Sequence, residues 1–328
     1  MTSRKWILVV AGCGLLTLGL AACGGDDDDD GSDGASGLSG QIRIDGSSTV
    51  GPLTETAAEL FQGENPDVQV TVGTSGTSGG FEKFCAGETD ANDASRPIES
   101  TEEKICADNG VEYEEVQVAN DALSVIVNPN NPLTCITVDQ LNQIWDKDSA
   151  VDGWGDIEGE LDADVGDEEL TLFGPGSDSG TYDYFTEEIN GEEGVIRTDY
   201  NSIGEDDNAA INGVVGDEWA MAYVPFSFVQ EAGETVKSLE IDDGDGCVAP
   251  TEQTVQDGTY VPLGRPLFIY PSQEALQDEA MVEFVRFYID NQDQITTDAT
   301  FIPMTEEQTT TSEETVESLA GGSGGSSS

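Results

Sequence analysis

Histidine is absent from the 328 residues, and no other feature of the composition excludes as much. A Ser-His-Asp triad, an H-E-x-x-H zinc site and an imidazole base are all impossible. Positive charge is almost as scarce: 11 Lys and Arg stand against 67 Asp and Glu, for a formal net charge of −56. A field of that sign repels nucleic acid and anionic headgroups, so nucleic acid is not an expected partner. No Walker P-loop pattern and no C-x-x-C spacing occurs. Without His, no metal site is expected, and no cofactor motif replaces it. The N-terminal apolar run Trp6–Leu20 is about fifteen residues long, short of the ~20 that span a bilayer comfortably.

What is present begins with an export pattern. Arg4 and Lys5 precede that apolar run, which ends in Leu20-Ala21-Ala22-Cys23. Small residues before a cysteine resemble a bacterial lipobox, so residues 1–22 are read as a lipoprotein signal peptide and Cys23 as the lipidated residue. The alternative is an ordinary signal peptide or anchor with an incidental cysteine. Residues 23–40, with the run Asp26–Asp30 amid Gly and Ser, read as an acidic tether. From Thr305 onward the chain is rich in Thr, Ser and Glu and ends in Gly and Ser, so 306–328 are expected to form a disordered tail. The folded part then lies outside the cytoplasmic membrane. There, Cys85, Cys106, Cys135 and Cys247 suggest two disulfides with three possible connectivities.

Between these ends, strand-like and helix-like patterns alternate. Gln41–Asp45, Val68–Val72, Val116–Val118, Leu123–Val127, Leu170–Phe173, Met221–Val224 and Leu267–Tyr270 read as strands. Leu53–Gln62, Phe81–Ala86, Val138–Trp145, Tyr182–Ile189 and the long Gln273–Asn291 carry helical spacing. That alternation predicts an α/β fold with mostly parallel sheets. The length allows about two ordinary domains.

Three turns share one design, a strand followed by a Gly/Ser/Thr turn and a helix. They are Asp45–Pro52, Gly73–Gly80 and Gly174–Thr181. Glycine permits close backbone approach, hydroxyls donate, and the first N–H groups of a helix point outward unpaired, which suits an anion. Taken singly, such a turn is more commonly a helix cap. Arg96, in Asp93-Ala94-Ser95-Arg96-Pro97-Ile98, offers a fork of donors matched to a tetrahedral oxyanion, or to a surface carboxylate.

These segments together resemble the phosphate-binding lipoproteins of bacterial ABC importers, the PstS family and its SphX-like branch. The resemblance rests on Ile44–Val50, Gly79–Cys85, Ala94–Ile98, Val127–Pro129, Asp178–Phe185 and Tyr260–Leu267, in consistent order over roughly residues 41–305. It implies a two-lobed periplasmic-binding-protein-like fold of type II, with ligand in the interlobe cleft. The implied lobes are 41–120 plus 265–305, and 121–264. The implied disulfides, each within one lobe, are Cys85–Cys106 and Cys135–Cys247. The implied ligand is inorganic phosphate, held by Ser48, Thr49, Val50, Thr77, Ser78, Gly79, Ser95, Arg96, Ser179, Gly180 and Thr181. The implied partner is the membrane permease of an importer, with anchoring through the lipid on Cys23 and no enzymatic step.

One departure bears on the ligand. Many members of the family carry an acidic residue within the stretch occupied here by Ser95-Arg96-Pro97, and an arginine where Pro175 stands. The arginine is therefore expected to have moved across the site to Arg96. Asp178 or Asp45 is then the candidate acceptor for the proton of hydrogen phosphate. The lost acceptor also motivates a second reading, another tetrahedral oxyanion. A secreted phosphate-ester hydrolase using a serine is a third, weakened by the lack of a base.

Overall fold

The computed structural model describes residues 37–322 except Asp178 and Glu205. The proposed signal peptide, Cys23, most of the tether and the last six residues lie outside the described residues.

The chain starts with β1 (Ser39–Gly46), α1 (Gly51–Glu64), β2 (Asp67–Val72), α2 (Thr77–Cys85), β3 (Ala91–Ala94) and α3 (Ser100–Asn109). Alternation buries Ile42 and Ile44 of β1 and Val68 and Val70 of β2. Helical spacing buries Leu53, Ala57 and Phe61 of α1. Next come β4 (Val116–Val127), β5 (Cys135–Thr137), α4 (Val138–Trp145), β6 (Thr171–Gly174), α5 (Gly180–Asn190), β7 (Asn201–Ser202), α6 (Asp207–Gly216), β8 (Ala220–Pro225) and α7 (Phe226–Ala232). The short strands β9 (Lys237–Ser238), β10 (Glu240–Asp242) and β11 (Cys247–Val248) lead to α8 (Glu252–Gln256) and β12 (Gly264–Pro271). Helices α9 (Glu279–Asp290), α10 (Gln292–Asp298) and α11 (Glu306–Gly322) close the chain.

The main sheet has the order β2-β1-β3-β12-β4-β8-β6-β7, with β9 also on β4. It is mixed rather than mostly parallel. β1 is parallel to β2 and β3, and β6 to β8, but β12 is antiparallel to both β3 and β4, and β4 to β8. The cause is the length of β4. The two strands expected at 116–118 and 123–127 are one, and it pairs with β12 through Ala122 and with β8 from Leu123. A strand that passes from one half of the fold to the other meets its returning neighbour antiparallel.

Two large apolar cores lie along this strand. Val116, Val118 and Ala119 pack with Ile44, Leu53, Phe61, Leu267 and Phe284. Ala122, Leu123 and Val125 pack with Trp145, Phe185, Tyr223 and Leu263. Cys85 is bonded to Cys106, joining α2 to α3 on the first side. Cys135 is bonded to Cys247 across the small sheet β11-β10-β5 on the second.

Two other expectations differ from the structure. The long helix expected at 273–291 starts only at Glu279, because Asp278 caps it by accepting from the Ala280 N–H at 2.9 Å. Most of the tail expected to be disordered is α11. Its start is a capping box: the Thr305 hydroxyl accepts from the Gln308 N–H, and the Gln308 side chain accepts from the Thr305 N–H. Ser312 and Val316 are buried against the first core.

Candidate anion site between the two cores

At the C-terminal end of β1 the chain turns through Ser47-Ser48-Thr49 into α1. The Ser47 hydroxyl accepts from the Thr49 and Val50 N–H groups at 3.2 and 3.4 Å. Val50 is therefore a capped, fully buried residue rather than the free N–H donor expected. What the turn offers outward is the hydroxyls of Ser48 and Thr49.

The second turn contributes Thr77, whose hydroxyl pairs with that of Ser95 at 3.1 Å, both nearly buried. Ser78 and Gly79 follow on α2 and are not on the slot lined by that pair. Ser78 is exposed, and its hydroxyl accepts from Arg96.

The third turn comes from the other core. Ser179 caps α5 by accepting from the Thr181 N–H at 3.2 Å. Gly180 then presses on the first turn. A Cβ there would sit 3.1 Å from the Thr49 nitrogen and 3.2 Å from its hydroxyl, so glycine is what lets the two turns touch. Thr49 reaches the Gly180 carbonyl at 3.5 Å, and the Ser48 hydroxyl donates to Asp183 at 3.0 Å.

Arg265 on β12 completes the arrangement. It is buried, its Nη2 donates to the Thr49 hydroxyl at 2.8 Å, and its guanidinium carbon lies 3.1 Å from the centre of the Tyr184 ring. Asp121 on β4 approaches its Nε at 3.6 Å. Burial pushes the Asp121 carboxyl up, against the pull of Arg265. Tyr184 is held in turn by donating to the Pro262 carbonyl at 2.8 Å.

These groups line a slot of about 10 Å³, whose walls include Ser48, Thr49, Thr77, Ser95, Asp183, Tyr184, Glu187, Glu193 and Arg265. That is room for about one water. Of the residues expected to hold ligand, Ser48, Thr49, Thr77 and Ser95 meet here. Gly180 abuts the slot, whereas Val50, Ser78, Gly79, Arg96, Ser179 and Thr181 are not on its walls.

Arg96 is the main correction. Its Nη1 and Nη2 both donate to Glu102 at 2.9 Å, a two-bond fork on one carboxylate, and Nη2 also donates to Ser78. Glu102 is fixed because it accepts from the Glu99 N–H at 2.8 Å in the capping box of α3. The guanidinium is thus consumed at the start of α3, and its Nε faces Glu99 and Glu187 at 3.6 and 4.0 Å.

The expected proton acceptors also change. Burial pushes Asp45 up, but hydrogen bonds from Lys83, Ser75 and Gly46 outweigh it and hold the carboxyl below its ordinary value. Saturated by those donors, Asp45 has no place on the slot. Asp178 lies outside the described residues. Of the slot's carboxyls, Asp183, Glu187 and Glu193, Asp183 is the one that accepts from Ser48; burial raises it, opposed by Ser48 and Arg265. Asp183 and Arg265 lie within the segments Asp178–Phe185 and Tyr260–Leu267, but neither is among the residues expected to hold ligand. The signal was available for Arg265, a rare basic residue flanked by the apolar run Leu267–Tyr270 of a strand.

Comparison with known proteins bears on this geometry. A match to the PBP superfamily domain spans residues 31–292. The chain is 40% identical over 297 residues to protein SphX of Synechocystis sp., covering 89% of this chain and 84% of that protein. It is 33% identical over 324 residues to the phosphate-binding protein PstS of Staphylococcus saprophyticus, covering 97% and 96%.

The chain belongs to the PstS family, on its SphX-like side. Its fold is the type II periplasmic-binding-protein fold. A crystal structure of a possible phosphate binding protein from Planctomyces limnophilus superposes with a TM-score of 0.81 at 40% identity, covering 86% of this chain and 99% of that one. In this PstS-family chain the slot lies where the two cores meet, between β4 and β12 and the helix-opening turns.

Proposed function

We propose that this protein is an extracytoplasmic substrate-binding protein that captures inorganic phosphate, as the hydrogen phosphate dianion, for an ABC importer. The observation that carries the reading is convergence. Hydroxyls from the turns of the first core, the buried cation Arg265, and Asp183 and Tyr184 of α5 from the second core meet at one slot in a chain of the PstS family. Binding of this kind needs preorganised donors and no catalytic base or cofactor.

The lobes are proposed as 41–120 with 265–305, and 121–264. The change of core between Ala119 and Ala122, and again between Leu263 and Leu267, supports these boundaries. Helix α11 adds to the first lobe. Ser48, Thr49, Thr77 and Ser95 are the proposed donors, with Arg265 taking the place first given to Arg96. Asp183 is the proposed acceptor for the ligand's proton, and sulfate has no such proton at neutral pH. The slot is too small for a tetrahedral anion, so the lobes part to admit it and Ser48 exchanges Asp183 for ligand. The signal peptide at 1–22, the lipid on Cys23 and the permease partner complete the proposal, and they rest on the sequence pattern and on family membership.

Calorimetric titration with phosphate, sulfate and arsenate tests the reading. Saturable binding of phosphate and arsenate, with sulfate much weaker, is the expected result. Sulfate binding as tight as phosphate transfers the site to a different oxyanion and removes the role given to Asp183.

A further inference from the structure

The segment behind the hinge is not a passive end of the chain. After α10 it passes from one core to the other within three residues: Ile302 belongs to the second core and Met304 to the first. Between them, Ile302 bridges Asn120 of β4, with backbone bonds of 2.9 and 3.0 Å in both directions. Helix α11 then packs along the first lobe, where the Ser312 hydroxyl donates to the Gln117 carbonyl at 2.9 Å and Val316 enters the core.

One side chain of α11 also reaches the second lobe. The Gln308 Nε2 donates to the Gln256 carbonyl at 3.2 Å, while the Asn120 Nδ2 donates to the Gln308 Oε1 at 3.1 Å. In return the Gln256 Nε2 donates to the Pro303 carbonyl at 2.9 Å. Gln256 ends α8, whose Val255 belongs to the second core. Beyond these bonds α11 and α8 are separated by an open groove of about 1080 Å³, so the two glutamines carry the contact.

The face on which this happens follows from strand alternation. Asn120 and Asp121 are neighbours on β4, so their side chains leave opposite faces. Asp121 turns to Arg265 and the slot, and Asn120 turns to Gln308 and Pro303. The C-terminal segment therefore crosses the hinge on the face away from the ligand.

We infer that residues 301–318 form a strap across the back of the hinge that favours the closed arrangement of the lobes. The glutamine bonds exist in the form in which the Ser48–Asp183 contact shuts the slot. Opening rotates the lobes about β4 and β12, and a hydrogen bond set on the far face does not survive that rotation with its geometry intact. Whatever stabilises the closed form raises apparent affinity by raising the fraction that is competent to hold ligand.

The test uses the full mature protein. Gln308→Glu keeps the acceptor that caps α11 but removes the donor to Gln256. Gln256→Ala cuts the bond from the other lobe. Ser312→Ala is the control, since it loosens the strap from the first lobe alone. Loss of one such bond weakens phosphate binding about three- to tenfold. Gln308→Glu and Gln256→Ala are each expected to do so, and to enlarge the ligand-free radius in small-angle scattering, while Ser312→Ala lowers only thermal stability. Unchanged affinity and radius in both glutamine variants overturn the strap, as does an equal loss of affinity in all three. The affinity arm rests on the phosphate reading. If the parent protein does not bind phosphate, that reading fails, and the ligand-free radii alone decide the strap.

Discussion

Replacing Arg265 with alanine removes the only basic residue on the slot wall among the described residues and leaves three things behind. Thr49 loses its 2.8 Å donor, the Tyr184 ring loses its cation, and Asp121 is left buried beside a missing charge. Truncating one partner of a buried charged contact typically costs about 2–5 kcal/mol of binding. By the tenfold-per-1.4 kcal/mol rule, phosphate affinity falls by roughly thirty- to several-thousandfold. Breaking the Asp121 pair also costs fold stability, about 3–5 kcal/mol for a buried pair. Arg265→Lys separates the two effects. It keeps the charge near Asp121 and so most of the stability, but it loses the planar fork and the flat contact with Tyr184. Titration calorimetry alongside thermal melts reads both quantities. Arg96→Ala is the comparison, expected to destabilise α3 by freeing Glu102 while leaving affinity within about threefold, because its hydrogen bonds to Ser78, Pro97 and Glu102 are all within the first lobe and its one contact across the lobes, with Glu187, is long at 4.0 Å. If Arg265→Lys binds phosphate like the parent and Arg96→Ala does not, the assignment of the site cation is wrong.

Three further outcomes follow from the geometry. Gly180→Ala forces a Cβ to within 3.1–3.3 Å of the Ser48-Thr49 turn and is expected to oppose closure by about 1–3 kcal/mol, seen as weaker binding and a larger liganded radius in scattering. Burial, against the nearby Thr54 hydroxyl and with the Asp45 charge, pushes Asp93 up to about 8. Its unfolded counterpart ionises near 3.8, so the native state holds the extra proton between those values and stability falls as pH rises through the window, by about 1.4 kcal/mol per unit where the two states differ fully. Asp93→Asn should flatten thermal stability between pH 5 and 8, and a slope unchanged by that substitution contradicts a neutral Asp93. The disulfides close sequence separations of 21 and 112 residues, so chain-entropy arguments assign them about 3 and about 5 kcal/mol. Reduction is expected to lower the melting temperature markedly, and a melt insensitive to reductant would show that they stabilise little.

Local pattern was legible wherever one face of an element is buried. Val138–Trp145 is a helix over the expected span because Thr137 and Gln140 form a capping box before an amphipathic turn. The three hydroxyl turns were legible for the same reason, since strand, turn and helix each have a strong residue signature. The C-terminal helix was concealed by composition. Among its described side chains the one apolar residue in the core is Val316, although the Thr305…Gln308 box was present in the sequence. The site was half legible. Hydroxyl donors could be listed from turns, but which of them face ligand depends on caps that only three-dimensional structure reveals, as Ser47 and Ser179 show. The fate of Arg96 depended on Glu102, six residues away and bound into the next helix start. Nothing in the spacing of Asp183 and Arg265, 82 positions apart, announces that Ser48 and Thr49 bring them to one slot.

A crystal structure of the mature protein grown with phosphate tests the central claim most directly. The account predicts phosphate between the two cores, with oxygens on Ser48, Thr49, Thr77 and the Arg265 guanidinium, the Ser48–Asp183 bond replaced by contacts to ligand, and Arg96 still forked on Glu102. Phosphate bound elsewhere, or bound here with Arg96 released from Glu102 onto it and Arg265 out of reach, would contradict it.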